Sequence, residues 1–252
     1  MKKHKLRSKF KLRLLDEGEL DVWSVWKEDD RWTAHGQASQ EGVLGLTDCR
    51  APGMGQRLLL SSSDSVGEVD EAPLSAYTIR RYLRGVPEGQ VEIPWNNSLP
   101  MNHNFDIMGG IDFKKGCYIG QELTIRTHHT GVVRRRILPV ALYAHDGAPP
   151  DGLEYNNGIA MGNIEDGTDI TRDDARKRPT GKLLGNVGNV GLGMCRLEQM
   201  SDLTVSAEGS SFSPDDRFFV NDVNGHELGV KAFVPDWMRG RIREYKTQKR
   251  VE

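Results

Sequence analysis

The stretch Lys114–Gly131 reads K-K-G-C-Y-I-G-Q-E-L-T-I-R-T-H-H-T-G. Gly116 and Gly120 bracket Cys117, so the backbone there can turn sharply or approach another segment closely. From Gln121 onward the residues suit a helix, and Gly131 is placed to end it. Cys117 then lies just before a helix N-terminus and beside Lys114 and Lys115. Both features favour the thiolate, the nucleophilic and metal-binding form of cysteine. The same residues also fit a small cysteine packed into a tight turn. The local chemistry alone leaves both readings open.

Around this stretch the chain of 252 residues is long enough for one large domain or two ordinary ones. Its net charge of −2 gives no global field that would attract nucleic acid or an anionic membrane. No apolar run approaches a membrane span. Cys49, Cys117 and Cys195 are widely separated, without a C-x-x-C pair or a secreted disulfide framework, which points to a reducing compartment. Abundant glycine and sparse aromatics suit a β-rich protein with many turns.

N-terminal to the motif, Lys5–Leu14 alternates charged and apolar residues, the period of a half-buried strand; Leu20–Trp26 reads as a second strand antiparallel to it. Short strands follow, one that begins with Val43–Leu46 and ends at Asp48, the next at Arg57–Leu60. Pro73–Arg84 is a helix, opened by Pro73 and stopped by Gly85 and Pro87. Ala76, Ile79 and Leu83 share one face of it. Arg80, Arg81 and Arg84 fall elsewhere, as a solvated basic face or one that meets an anion. Val91–Gly110 reads as a connection in which Asp106 and Asp112 are nearby carboxylates.

C-terminal to the motif, Val132–Tyr143 alternates as a strand carrying Arg134, Arg135 and Arg136. Residues 144–178 are rich in Gly, Pro, Asn and Asp and read as a long mobile insertion. The string GNVGNVGLG within Thr180–Leu197 lacks the G-x-G-x-x-G spacing of a nucleotide loop, so it reads as turns between strands. Leu203–Val205, Arg217–Val220 and Leu228–Val234 complete a small antiparallel barrel, and the tail from Asp236 frays or forms a short helix.

His128 and His129 are adjacent, so on a helix their side chains diverge by about 100° and do not share one metal ion. A structural role for them, bonded to backbone or to Glu122, is expected. Gln121 and Glu122 read as residues that fix the loop rather than as an acid–base pair. A four-iron cluster takes about four ligands, mostly thiolates, and three scattered cysteines fall short of that set.

The block K-G-C-Y-I-G-Q-E-L-T-I-R-T-H-H resembles the signature of the YgfZ-type branch of the folate-binding, aminomethyltransferase-like (GcvT-like) superfamily, in particular its mitochondrial iron–sulfur cluster assembly factors. Leu46–Arg50 with Gly55-Gln56-Arg57, Tyr77 through Gly89, Gly191-Leu192-Gly193 through Leu197, and Val234–Trp237 resemble further blocks of that branch. The resemblance implies an α+β fold. Residues 1–131 would form an incomplete folate-binding-type domain holding the motif, with the family's first half-domain lying before it. Residues 132–252 would form a C-terminal β-barrel with the mobile insertion near 144–178.

For function, the resemblance implies a factor acting late in the maturation of four-iron four-sulfur proteins rather than a turnover enzyme. Cys117 would share an iron–sulfur cluster with an A-type scaffold partner. Lys114, Lys115, Gln121, Glu122, Arg126, His128 and His129 would form the cluster and partner surface around it, in the mitochondrial matrix, and the chain alone would be a monomer. The competing class is a folate-dependent one-carbon enzyme, or a folate-binding scaffold, with Asp106 and Tyr118 as the folate candidates. The cysteine favours the assembly branch, because the aminomethyltransferases resemble one another around a cysteine-free version of this loop. Asn102, where the family carries an acid linked with the folate pocket, implies weak or absent tetrahydrofolate binding. Cys117 is expected to react faster than Cys49 and Cys195.

Overall fold

The computed structural model describes residues 11, 13–27, 44–61, 64, 69–158, 162–174 and 177–243. The chain divides into two compact units, one of residues 1–48 and 53–71, the other of residues 49–52 and 72–252. The first unit holds β1 (Asp21–Val25), β2 (Leu44–Thr47) and β3 (Gln56–Leu60) in an antiparallel sheet of order β1-β3-β2. Trp23 opposite Leu58 and Gly45 opposite Leu58 set its register. All three strands fall where the sequence places them. Among the described residues β1 pairs with β3. The expected strand over Lys5–Leu14 lies largely outside the described residues, and Arg13 to Leu15 are not in a strand.

The second unit begins with α1 (Leu74–Leu83), which starts after Pro73 and ends where Gly85 takes a positive φ of 70°. Ile79 and Leu83 pack inward as their spacing requires. The arginines do not form a solvated or anion-binding face. Arg80 and Arg81 are buried, and Arg84 donates through Nε to the carbonyl of Pro52. The short helix α2 (Gly89–Glu92) supplies the reason. Both terminal nitrogens of Arg81 donate to the Glu92 carboxylate, at 2.7 and 3.0 Å, and one also donates to the carbonyl of Val86. Burial pulls the Arg81 pKa down, and hydrogen bonding and charge from Glu92 more than reverse it, leaving it raised.

After α3 (Glu122–Thr130), six strands close an antiparallel barrel in the order β4-β7-β6-β5-β8-β9. They are β4 (Arg135–Ala144), β5 (Asp169–Arg172), β6 (Pro179–Val187), β7 (Val190–Arg196), β8 (Phe218–Asn221) and β9 (Glu227–Ala232). The short helices α4 (Leu197–Met200) and α5 (Asp236–Arg239) follow β7 and β9. The mixed helix and strand content and the C-terminal barrel are the fold class the sequence implies.

Alternation along β4 sends Leu138, Val140 and Leu142 into the barrel, where they meet Ile170, Leu183 and Val230. Ile137 faces outward with Val190 and Leu192, under Tyr82 of α1. The glycine string is mostly strand rather than turn. Gly193 lies opposite Leu138 and Gly191 opposite Val140, and a Cβ on Gly193 would press against Val140 and Ile170. Gly193 leaves the volume that these larger interior side chains fill, whereas a Cβ on Gly191 would press on the Gly185 carbonyl. Only Gly188-Asn189 make the turn.

Two further expectations change. Residues 144–178, expected to lack regular structure, contain β5, whose Ile170 is fully buried in the barrel core. Leu203–Val205, expected as a strand, is a buried loop. The Glu198 carboxylate accepts from the backbone nitrogens of Val205 and Ser206, at 2.9 and 2.7 Å, in place of a ladder partner. Among the described residues no helix is long and apolar enough to cross a membrane.

Candidate functional site

The motif folds as the sequence requires: an exposed loop leads into α3, and Gly131 caps its end. The Asp112 carboxylate accepts from the backbone nitrogen of Lys114 at 2.8 Å and shapes the loop's entry. At its exit Gln121 closes the turn in both directions. Its side-chain oxygen accepts from the nitrogen of Tyr118 at 3.3 Å, and its own nitrogen donates to the carbonyl of Tyr118 at 3.4 Å. Gly120 makes this possible with φ of 87°, in the left-handed region. Gln121 therefore fixes the loop, as its position suggests.

A ring stack ties the two ends of the motif together. Phe113, at the loop's entry, lies on His128, in the last turn of α3, with centroids 3.6 Å apart and planes at 13°. His129 meets His128 edge-on at 5.0 Å. The structural role expected of His128 is thus filled by an aromatic contact rather than by a bond to Glu122. Among the described residues no group of three metal-binding side chains comes together.

What the loop holds outward is Cys117, Tyr118 and Ile119. Cys117 is exposed, and Ile119 is completely so, at 102%. The Lys115 ammonium sits over the Tyr118 ring at 4.7 Å. Leu123, on the first turn of α3, is also half exposed, and Thr124 is the helix's buried residue. Lys114, Glu122 and Arg126 are exposed on the same stretch. Ile119 and Leu123 are absent from the residues singled out by sequence. Their signal was available: two large aliphatics four residues apart, one helical turn, among the polar residues that flank Cys117.

Beside α3 lies a cleft of about 1390 Å³, lined by Phe113, His128 and His129 from the motif and by Asp106, Arg136 and Arg241. Asp106 accepts two bonds from Arg136, each 2.8 Å, and Arg136 also donates to the carbonyl of Met101. The two folate candidates are therefore separated in role. Asp106 is engaged in the cleft wall, whereas Tyr118 belongs to the exposed loop and is not among the cleft's lining residues.

The other cysteines differ from expectation in one respect. Cys195 is buried, and burial pushes its thiol up to about 12. Cys49, expected to be slow, lies on an exposed turn. Alkylation of the native protein near neutral pH should therefore label Cys49 and Cys117 and spare Cys195 until the barrel unfolds. Mass spectrometry of a time course reads this directly; early modification of Cys195 would contradict the burial of β7.

Comparison with known proteins follows the same division. Residues 134–240 match the family described as the CAF17 C-terminal beta-barrel domain. The chain is 44% identical over 278 aligned positions to the iron-sulfur cluster assembly factor IBA57 homolog, mitochondrial, of Aspergillus clavatus, covering 96% of this chain and 61% of that protein. Against the protein of the same name from Coccidioides immitis the identity is 42%, over 99% of this chain and 64% of the relative. The Pyricularia oryzae protein of that name gives 44%, with 95% and 64% covered. The chain spans about three-fifths of the length of the curated relatives it matches. The resemblance carried by the cysteine motif thus extends along nearly the whole chain, with residues 134–240 similar to the CAF17 C-terminal barrel domain and the chain as a whole similar to the mitochondrial proteins named as IBA57 homologs.

Proposed function

We propose that this chain is a mitochondrial iron–sulfur cluster assembly factor in which Cys117 supplies one thiolate to a cluster held mainly by a partner. The observation that carries the reading is the presentation of Cys117 beside Ile119 on a loop fixed from both ends. A lone exposed thiol can complete a ligand set in trans. It cannot enclose a cluster, which takes about four ligands. The exposed apolar residues beside it are the kind of surface that becomes buried when a partner docks. Lys114, Lys115 and Arg126 add positive charge suited to a thiolate-rich, net-negative cluster.

In this reading the segment of residues 1–131 presents the loop, and the barrel of residues 132–252 is the body that carries it. The partner is an A-type scaffold, and the cluster is cargo passed toward four-iron four-sulfur proteins. The chain alone should purify colourless. Mixed with an A-type scaffold and cluster, it should show cluster absorption that Cys117→Ser abolishes while the melting curve is unchanged. A Cys117→Ser chain that forms the cluster complex as well as wild type would return Cys117 to a structural residue.

A further inference from the structure

The outer face of the barrel carries a pair of charges that the described residues leave unanswered. Arg135, at the start of β4, lies directly opposite Arg196, at the end of β7. Both are exposed, while their neighbours Arg136 and Cys195, themselves opposed across the same ladder, are buried. The two arginines therefore leave the sheet on its outer side. Like charges directly opposed across a ladder are destabilising. Burial and the charge of Arg135 both lower the pKa of Arg196.

Elsewhere on the barrel the chain does the opposite. Asp169 of β5 lies across from Lys182 of β6, and the two join at 2.7 Å. Arg134, next to the pair, holds Glu208 at 3.0 Å. Among the described residues no acid joins either Arg135 or Arg196.

We infer that Arg135 and Arg196 form a docking site for an acidic segment of a partner protein, whose carboxylates bridge the two guanidiniums. Opposed Cβ atoms on a ladder stand about 5 Å apart, which lets two planar forks converge on one carboxylate or on neighbouring ones. A protein segment is the occupant because the pair sits on an open sheet face. A small free anion there competes with water and is screened by salt. A polypeptide brings several carboxylates at once and excludes water as it docks. The inference deepens the partner reading above and rests on it only for which protein carries the segment.

The test is binding of a fluorescent hexaglutamate peptide at low salt to wild-type protein, Arg135→Gln, Arg196→Gln and Lys182→Gln, with melting curves to confirm folding. Each arginine variant should bind roughly tenfold more weakly, the loss expected for one charge-assisted contact. Lys182→Gln, which changes net charge equally, should bind as wild type does. Unchanged binding in the arginine variants, or equal loss in Lys182→Gln, would overturn the site. Inorganic phosphate that binds as tightly as the peptide would overturn its assignment to a protein segment. The peptide carries no cluster, so failure here leaves the Cys117 reading untouched, and failure of the Cys117 experiment leaves this site standing.

Discussion

Glu92→Ala should lower the melting temperature by roughly 10 °C. Glu92 and Arg81 are both nearly inaccessible, with side chains 5% and 8% exposed. Removing the carboxylate leaves a guanidinium in the interior with only the more distant Glu88 carboxylate, 3.9 Å from its Nε, as counter-ion. It also strips the acceptor from the backbone nitrogen of Glu88, which Glu92 binds at 2.6 Å. Losing one partner of a buried pair costs about 3–5 kcal/mol, and each kcal/mol shifts melting by about 2–4 °C in a domain of this size. The double variant Arg81→Met, Glu92→Leu should recover most of the loss, because it removes both charges and keeps the volume. Thermal melts of the two singles and the double complete the cycle. A fall of only a degree or two in Glu92→Ala would mean that water reaches Arg81.

That ion pair also marks where reading the sequence stops. The period of Ile79 and Leu83 and the stop at Gly85 define α1 locally, so its existence and limits are legible. The fate of Arg81 depends on Glu92, which comes near only after the chain turns back through α2. Basic residues on a helix look solvated until that acid arrives. β5 fails for a similar reason. In Asp169-Ile170-Thr171-Arg172 only Ile170 is strongly apolar, so four residues carry no readable alternation, and pairing with β6 and β8 defines the strand. Leu203–Val205 errs the other way. The segment reads as one more barrel strand, but the Glu198 carboxylate occupies the backbone nitrogens of Val205 and Ser206. At the site, Gln121 and Gly120 are readable because turn chemistry is local. The stack of Phe113 on His128 joins residues at opposite ends of the motif, a contact that spacing does not encode.

Ile119→Ser should separate docking from cluster chemistry, and its effect on the partner complex should be large. Ile119 makes no burying contact within the chain, being fully exposed, so its loss should leave melting within about 0.5 kcal/mol of wild type, as for ordinary surface changes. In a complex centred on Cys117 the same side chain would be enclosed. Burying an isoleucine is worth about 1.5–3 kcal/mol, so the variant should bind an A-type scaffold roughly 10- to 100-fold more weakly. Cys117→Ser should do the reverse, retaining most of the docking affinity while losing cluster absorption, since serine nearly matches the shape of cysteine without its sulfur. Affinity measured in the absence of cluster, beside absorption measured in its presence, distinguishes the two variants. An Ile119→Ser chain that binds the scaffold with wild-type affinity would show that the partner approaches another face, and that the exposed thiol does not lie at the centre of the contact.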